Sequence, residues 1–247
     1  MANAMRVKSI FNKHKKRDDW FLDDYSVNPY SGCAFNCIYC YIRGSKYGDD
    51  MANAVSVRIL KYKFPVEVAT KSNLVLRDLD LLKDIDKHAI LPDDLKPKLK
   101  HGVIISFSIS TLDERLAKIL EPGAPKPIER LETMKICKDK GFFTGICFIP
   151  VLPFLSDSEE QLDEMIRTAK EYGADFILVG ELTLFGKGSA DCKTLYYRFL
   201  EKHYPELLPK YRNLYKIFPV PPKEYQRQLE EKSKRLCEKY GVRNRII

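Results

Sequence analysis

No run of apolar residues reaches the length needed to cross a bilayer, so no membrane partner is expected. The opening Met1-Ala-Asn-Ala-Met5-Arg-Val-Lys8 lacks the apolar core of an export signal, and the expected compartment is cytoplasmic. There is no low-complexity tract, no internal repeat and no linker that would divide the 247 residues, a length that suits one sizeable α/β core. Nor is there the even, dispersed cysteine set of a secreted disulfide framework. The seven cysteines are odd in number, and three of them fall within eight residues. In a reducing compartment that clustering points to metal binding.

What is present in excess is positive charge at the ends. The net charge is +8, yet residues 1–17 and 210–247 together carry +13 and residues 18–209 carry −5. Basic flanks on a mildly acidic body suit a polyanionic partner such as nucleic acid. Solvated tails are the plainer alternative.

Along the chain, short β-branched or aromatic runs near 25–30, 66–70, 102–109, 143–149 and 175–180 have the length of buried parallel strands. A sixth strand is expected near Tyr215–Val220. Helical stripes lie between them. One is Leu74, Leu76, Leu79, Leu82 and Ile85. Another is Leu112, Leu116, Ile119 and Leu120, opened by a Thr111/Glu114 capping box. A third is Ile128, Leu131, Met134 and Cys137, stopped at Gly141. Ser158 and Gln161 cap a fourth through Leu162, Met165, Ile166 and Ala169, and residues 222–240 form a last amphipathic helix. Alternation of this kind implies a parallel sheet with crossover helices. The expected division is a basic extension over 1–24, a barrel core over 25–205, and a basic, aromatic segment with a helix packing on the core over 206–247, all one domain.

The chemistry concentrates in Cys33-Ala-Phe-Asn-Cys37-Ile-Tyr-Cys40, a C-x3-C-x2-C spacing just after the first expected strand. Three thiolates this close can hold three corners of a [4Fe–4S] cubane and leave one iron open to a chelating substrate. A zinc site would want a second C-x2-C pair, and a closed ferredoxin-type cluster a fourth cysteine at a set spacing; neither is present. His14 is far back in the basic lead-in, and Cys137, Cys147, Cys192 and Cys237 stand alone.

C-x3-C-x2-C is the signature of the radical S-adenosylmethionine (SAM) superfamily, and the wider pattern resembles its spore photoproduct lyase-like branch. The resembling pieces are Asn28-Pro-Tyr-Ser-Gly-Cys33, Cys37-Ile-Tyr-Cys40-Tyr41, Thr70-Lys71-Ser72, Ser106-Phe-Ser108-Ile-Ser110, Glu121-Pro-Gly123 with Arg130, and Ile149-Pro-Val-Leu-Pro153. The resemblance implies a partial (β/α)6 barrel with basic N- and C-terminal extensions, holding cluster and SAM at the C-terminal ends of its strands. It implies an external electron donor of the flavodoxin or ferredoxin type, reductive cleavage of SAM and hydrogen-atom abstraction from a substrate. Among the lyases that substrate is a thymine dimer in DNA.

By the same resemblance Lys71 and Ser108 contact SAM, Arg130 is a further carboxylate donor by type, Tyr39 shields the cluster, and Tyr41 matches a tyrosine on the lyase's hydrogen-transfer path. Surface or core packing is the alternative for each. The lyase's cysteine donor stretch has no counterpart between Cys40 and Lys71. Cys147, on the fourth expected strand, is a candidate donor, with core packing as the alternative. Glu181, after the fifth, is a candidate for the SAM ribose or a substrate. The stretch Leu208–Tyr225 interleaves Lys210, Arg212, Lys216 and Lys223 with Tyr211, Tyr215, Phe218 and Tyr225, which suits backbone tracking and base stacking. The expectation is a radical SAM enzyme on nucleic acid. The same chemistry on a protein or small molecule, and a non-catalytic iron–sulfur or zinc module that binds nucleic acid, are the alternatives.

Overall fold

The computed structural model describes residues 12–26, 35–40 and 62–247. Near the N-terminus, β1 (Asn12–Lys13) and β2 (Tyr25–Ser26) pair antiparallel as a small ribbon. The sequence pattern places Tyr25 and Ser26 at the start of the first barrel strand; among the described residues they belong to this ribbon instead, and 27–30 lie outside the described residues. The main sheet has four strands in the order β3 (Val66–Thr70), β4 (Val103–Ser108), β5 (Phe143–Val151) and β6 (Phe176–Glu181), all parallel. These are the β-branched runs of the sequence, and the sheet with its helices is the α/β architecture of the expected partial barrel.

Period-two alternation gives the sheet two different faces. The outer face carries Ile105, Phe107, Ile146, Phe148 and Ile177, buried under helices. The helices of the chain are α1 (Leu79–His88), α2 (Glu114–Leu120), α3 (Pro127–Asp139), α4 (Glu159–Glu171), α5 (Cys192–His203), α6 (Leu208–Leu214) and α7 (Lys223–Tyr240). Leu82, Met134, Ile166 and Leu236 from α1, α3, α4 and α7 close this core. Each such side chain contributes about 1.5–3 kcal/mol by leaving water. The inner face carries Ile104, Phe143, Cys147, Phe176 and Leu178, against which Phe21 and Leu22 pack from the N-terminal segment. Gly180 makes room there: a β-carbon on it would meet the Trp20 ring at 3.5 Å and Ile149 at 3.1 Å.

Several local expectations shift by a turn. Leu74 is 65% exposed, in a 3-10 turn over Asn73–Asp78, and Val75 takes the buried place. Asp113, not Thr111, caps α2, accepting from the amides of Arg115 and Leu116; the Thr111 hydroxyl instead accepts from the Asp113 amide. Ile119 and Ile128 turn outward. The Ser158/Gln161 box on α4 forms as expected. Tyr215–Val220 is not a strand: it follows α6 as bends, because Tyr211 and Tyr215 are drawn inward at helical spacing and Pro219, Pro221 and Pro222 preclude a ladder. At the far end Gly241, at φ 63°, closes α7, with the Val242 amide donating back to Cys237 O at 3.0 Å. The Ile177 amide donates to Arg243 O at 2.8 Å, so the tail covers the outer edge of β6. Among the described residues no helix is long and apolar enough to cross a membrane.

Candidate active site at the strand ends

The C-terminal ends of parallel strands gather side chains that the sequence separates widely. Ser108 ends β4 and is paired in register with Cys147 on β5, so both point to the inner face. Lys71 follows β3 directly. Its Nζ donates to Ser108 Oγ at 2.5 Å, and Ser108 Oγ in turn donates to Ile149 O at 3.4 Å. The Lys71 side chain is only 14% exposed, with Nζ 3.8 Å from the Glu121 carboxylate and 5.9 Å from the centroid of the Tyr39 ring. Burial lowers the pKa of this ammonium, while the nearby Cys37 sulfur draws it back up.

Glu121 is the hub beneath that lysine, a residue to which the sequence reading assigns no role of its own. It follows α2, is 1% exposed, and accepts from Tyr39 Oη, from Ser110 Oγ at 2.9 Å and from Arg130 Nη2. Arg130 spends its fork inside the protein. Nε donates to Pro125 O and Nη1 to Ser108 O, both at 2.9 Å, and the residue is 1% exposed. The structure therefore gives this guanidinium to Glu121 and two carbonyls, where the sequence points it at SAM. In the sequence the members of this network stand apart, Tyr39 in the cysteine loop, Ser110 after Ser108, and Glu121-Pro-Gly123 with Arg130, and nothing there joins them.

Cys33 and Tyr41 lie outside the described residues. Cys37 and Cys40 are half-buried, and neither is in a disulfide. Asn36 turns the chain into them at φ 52°, a left-handed conformation asparagine tolerates. The loop is fastened from behind at three points. The Ile38 amide donates to Leu120 O at 2.9 Å, the Gly123 amide donates to Phe35 O at 3.0 Å, and the buried Tyr39 hydroxyl donates to Glu121. Among the described residues no three metal-ligating side chains converge. Two thiols on one tight turn, with a lysine close by to balance thiolate charge, are nonetheless a soft donor set of the kind iron–sulfur chemistry uses.

Beside the apolar side chains of the inner face stand polar ones. Glu67 on β3, Ser106 on β4 and Cys147 on β5 share this face. Glu67 Oε1 and Ser106 Oγ are buried with no hydrogen-bond partner among the described residues. Burial pushes the Glu67 carboxyl up to about 7, from 4.5. The folded chain then holds more protons than the unfolded chain between those pH values, so Glu67 makes stability fall as pH rises through that window. The loss is about 3 kcal/mol at full deprotonation. Glu67→Gln is expected to flatten the difference in urea midpoint between pH 5 and pH 7.5; an unchanged difference would assign the dependence elsewhere. Burial also pushes the Cys147 thiol up to about 12. Glu181 ends β6 half-buried, in register with Val151.

No protein-family model matches the chain. An uncharacterized protein of Mycobacterium tuberculosis is 25% identical over 272 residues, covering 88% of this chain and 75% of the relative. Among solved structures, a cysteine-to-serine mutant of spore photoproduct lyase superposes with a TM-score of 0.61 at 18% identity, covering 95% of this chain and 78% of the lyase. A second lyase mutant, with bound AdoMet and dinucleoside spore photoproduct, gives 0.56 at 16% identity, covering 95% and 85%. The chain shares the α/β fold of these lyase structures.

Proposed function

We propose that this chain is a radical SAM enzyme in which Cys33, Cys37 and Cys40 ligate a [4Fe–4S] cluster, and that its substrate is nucleic acid, DNA before RNA. The observation that carries the reading is the meeting of Lys71 and Ser108, at two strand ends, with the loop of Cys37 and Cys40, in a fold shared with a lyase structure that holds AdoMet. Bound together and reduced by an external flavodoxin- or ferredoxin-type donor, cluster and SAM would supply a 5′-deoxyadenosyl radical.

The chain's own residues divide the remaining work. The Lys71 ammonium, held by Ser108 and Glu121 in a place of little water, offers a fixed positive charge to the SAM carboxylate. Ser108 orients that ammonium and presents a hydroxyl to the amino or ribose side, and Glu181 reaches toward ribose or substrate from β6. Arg130 acts as a positioning residue, since it fixes Glu121 and the Ser108 carbonyl. Tyr39 holds the cysteine loop in place. Cys147 keeps its hydrogen on Sγ at neutral pH, because burial disfavours the thiolate, and so suits a hydrogen-atom donor on the inner wall. Tyr41, beside Cys40, is the other candidate on that path.

The test is anaerobic reconstitution of the full chain with iron and sulfide. Bound iron approaching the four of a cubane, and 5′-deoxyadenosine on adding SAM with a strong reductant, are the expected results. Stoichiometric zinc, or a full cluster that leaves SAM intact, would overturn the assignment.

A further inference from the structure

We infer that a basic groove on the outer side of α5 binds the phosphodiester backbone of the nucleic acid strand on which this enzyme acts, a reading that rests on the function proposed above. The groove, of about 300 Å³, runs from the loop after β6 across α5 to α6. Lys187, Lys193, Arg198 and Arg212 line it, against one acid, Glu201. None of these cations makes an ion pair among the described residues. Lys193 Nζ donates to Tyr215 O at 3.3 Å and Arg198 Nη1 to Ser189 O at 3.4 Å, both backbone carbonyls that leave the charge unbalanced.

Three basic residues of the C-terminal helix stand in contrast. On α7, Arg227 pairs with Glu224 and Glu231, Arg235 with Glu159, and Lys239 with Asp163, at 2.6–2.9 Å. Arg227, Arg235 and Lys239 are thus answered within the fold, whereas the four cations that meet in the groove are not. Phosphates recruit cations of the second kind, because an ion pair must be broken before a paired one can serve.

Two further features fit a nucleic acid strand. Tyr197 is half-buried in the groove, with Lys193 Nζ 5.7 Å from its ring centroid. The adjoining loop, anchored by Lys193 at Tyr215 O and by the Leu184 amide at Pro219 O, presents Ile217 at 79% and Phe218 at 65% exposure. Apolar and aromatic groups beside unpaired cations match bases beside phosphates. Tyr211 and Tyr215, which the sequence pattern suggests for stacking, are buried and take no part. Position matters too. Cys192, the first residue of α5, lies close enough to Cys40 for the two sulfurs to interact electrostatically, so the helix that lines the groove starts beside the cysteine loop.

The test compares two triple variants that remove the same net charge: Lys187→Ala/Arg198→Ala/Arg212→Ala in the groove, and Arg227→Ala/Arg235→Ala/Lys239→Ala on α7. A labelled oligothymidylate is titrated against the reconstituted enzyme over a range of salt. The wild-type protein is expected to bind with a steep salt slope, and the groove variant to lose about 2 from that slope and tenfold or more in affinity at low salt. The α7 variant is expected to stay near wild type. Equal effects of the two variants, or none, would overturn the groove while leaving nucleic acid as partner. A wild-type protein that forms 5′-deoxyadenosine but binds no oligonucleotide would overturn both the groove and the nucleic acid substrate. If the groove variant binds normally but turns over slowly only with a flavodoxin as reductant, the groove docks the electron donor and the inference falls.

Discussion

Cys40→Ala is expected to leave a folded chain that keeps little iron and forms 5′-deoxyadenosine roughly a thousandfold more slowly, the scale of losing an essential catalytic group. The reasoning separates structure from chemistry. Cys40 is half-buried, and its described backbone contact is its own amide to Cys37 O at 3.3 Å. The loop's attachments run through Phe35, Ile38 and Tyr39, which the substitution leaves alone. Melting is therefore expected to move by only a few degrees, while a cluster short of one thiolate is lost or degraded. Iron per chain, the visible absorbance of the reconstituted protein and deoxyadenosine by chromatography check this together. Full iron with normal turnover would remove Cys40 from the ligand set and the C-x3-C-x2-C reading with it.

The residues that made this site legible are those whose chemistry is local. A cysteine triplet declares itself by spacing, and Lys71 follows, and Ser108 ends, strands whose β-branched runs are plain in the sequence. The Ser158/Gln161 cap is legible because both partners lie in one turn. What stays hidden depends on contacts at long range. Arg130 reads as a ligand by type, and only the fold shows three of its N–H groups bonded to Glu121, Pro125 and Ser108. The aromatics Tyr211 and Tyr215 alternate with basic residues as a nucleic-acid surface would, yet a four-residue spacing on a helical turn sends both inward. Asp113 displaces Thr111 as a cap because an aspartate one residue before the helix reaches two free amides. The unpaired charge of the groove is invisible in a count of lysines and arginines, since pairing is decided by neighbours from other elements.

Glu121→Ala carries the second large effect, on stability. Removing the carboxylate leaves the Arg130 guanidinium buried without a counter-charge and takes a hydrogen-bond acceptor from both Tyr39 and Ser110. Breaking a buried pair from one side costs about 3–5 kcal/mol, which for a chain of this size lowers the melting temperature by roughly 10 °C. Glu121→Gln, which keeps an acceptor oxygen, is expected to lose less. Pairing it with Arg130→Met is expected to recover part of the loss, because the orphaned charge goes as well. A Glu121→Ala protein that melts within about 2 °C of the parent would show that the network adds nothing to the fold.

The three attachments behind the cysteine loop bear on how metal and folding are coupled. In small zinc modules the ligands are scattered in the apo chain, and loading is itself the folding step. Here the turn from Phe35 to Cys40 is latched to Leu120, Glu121 and Gly123 by protein bonds alone. Its conformational entropy is surrendered when the fold forms, so under the proposed function a cluster would meet Cys37 and Cys40 on a turn already held and would gain affinity by not having to order it. The chain without metal should accordingly melt as one cooperative unit with its tyrosine circular dichroism intact.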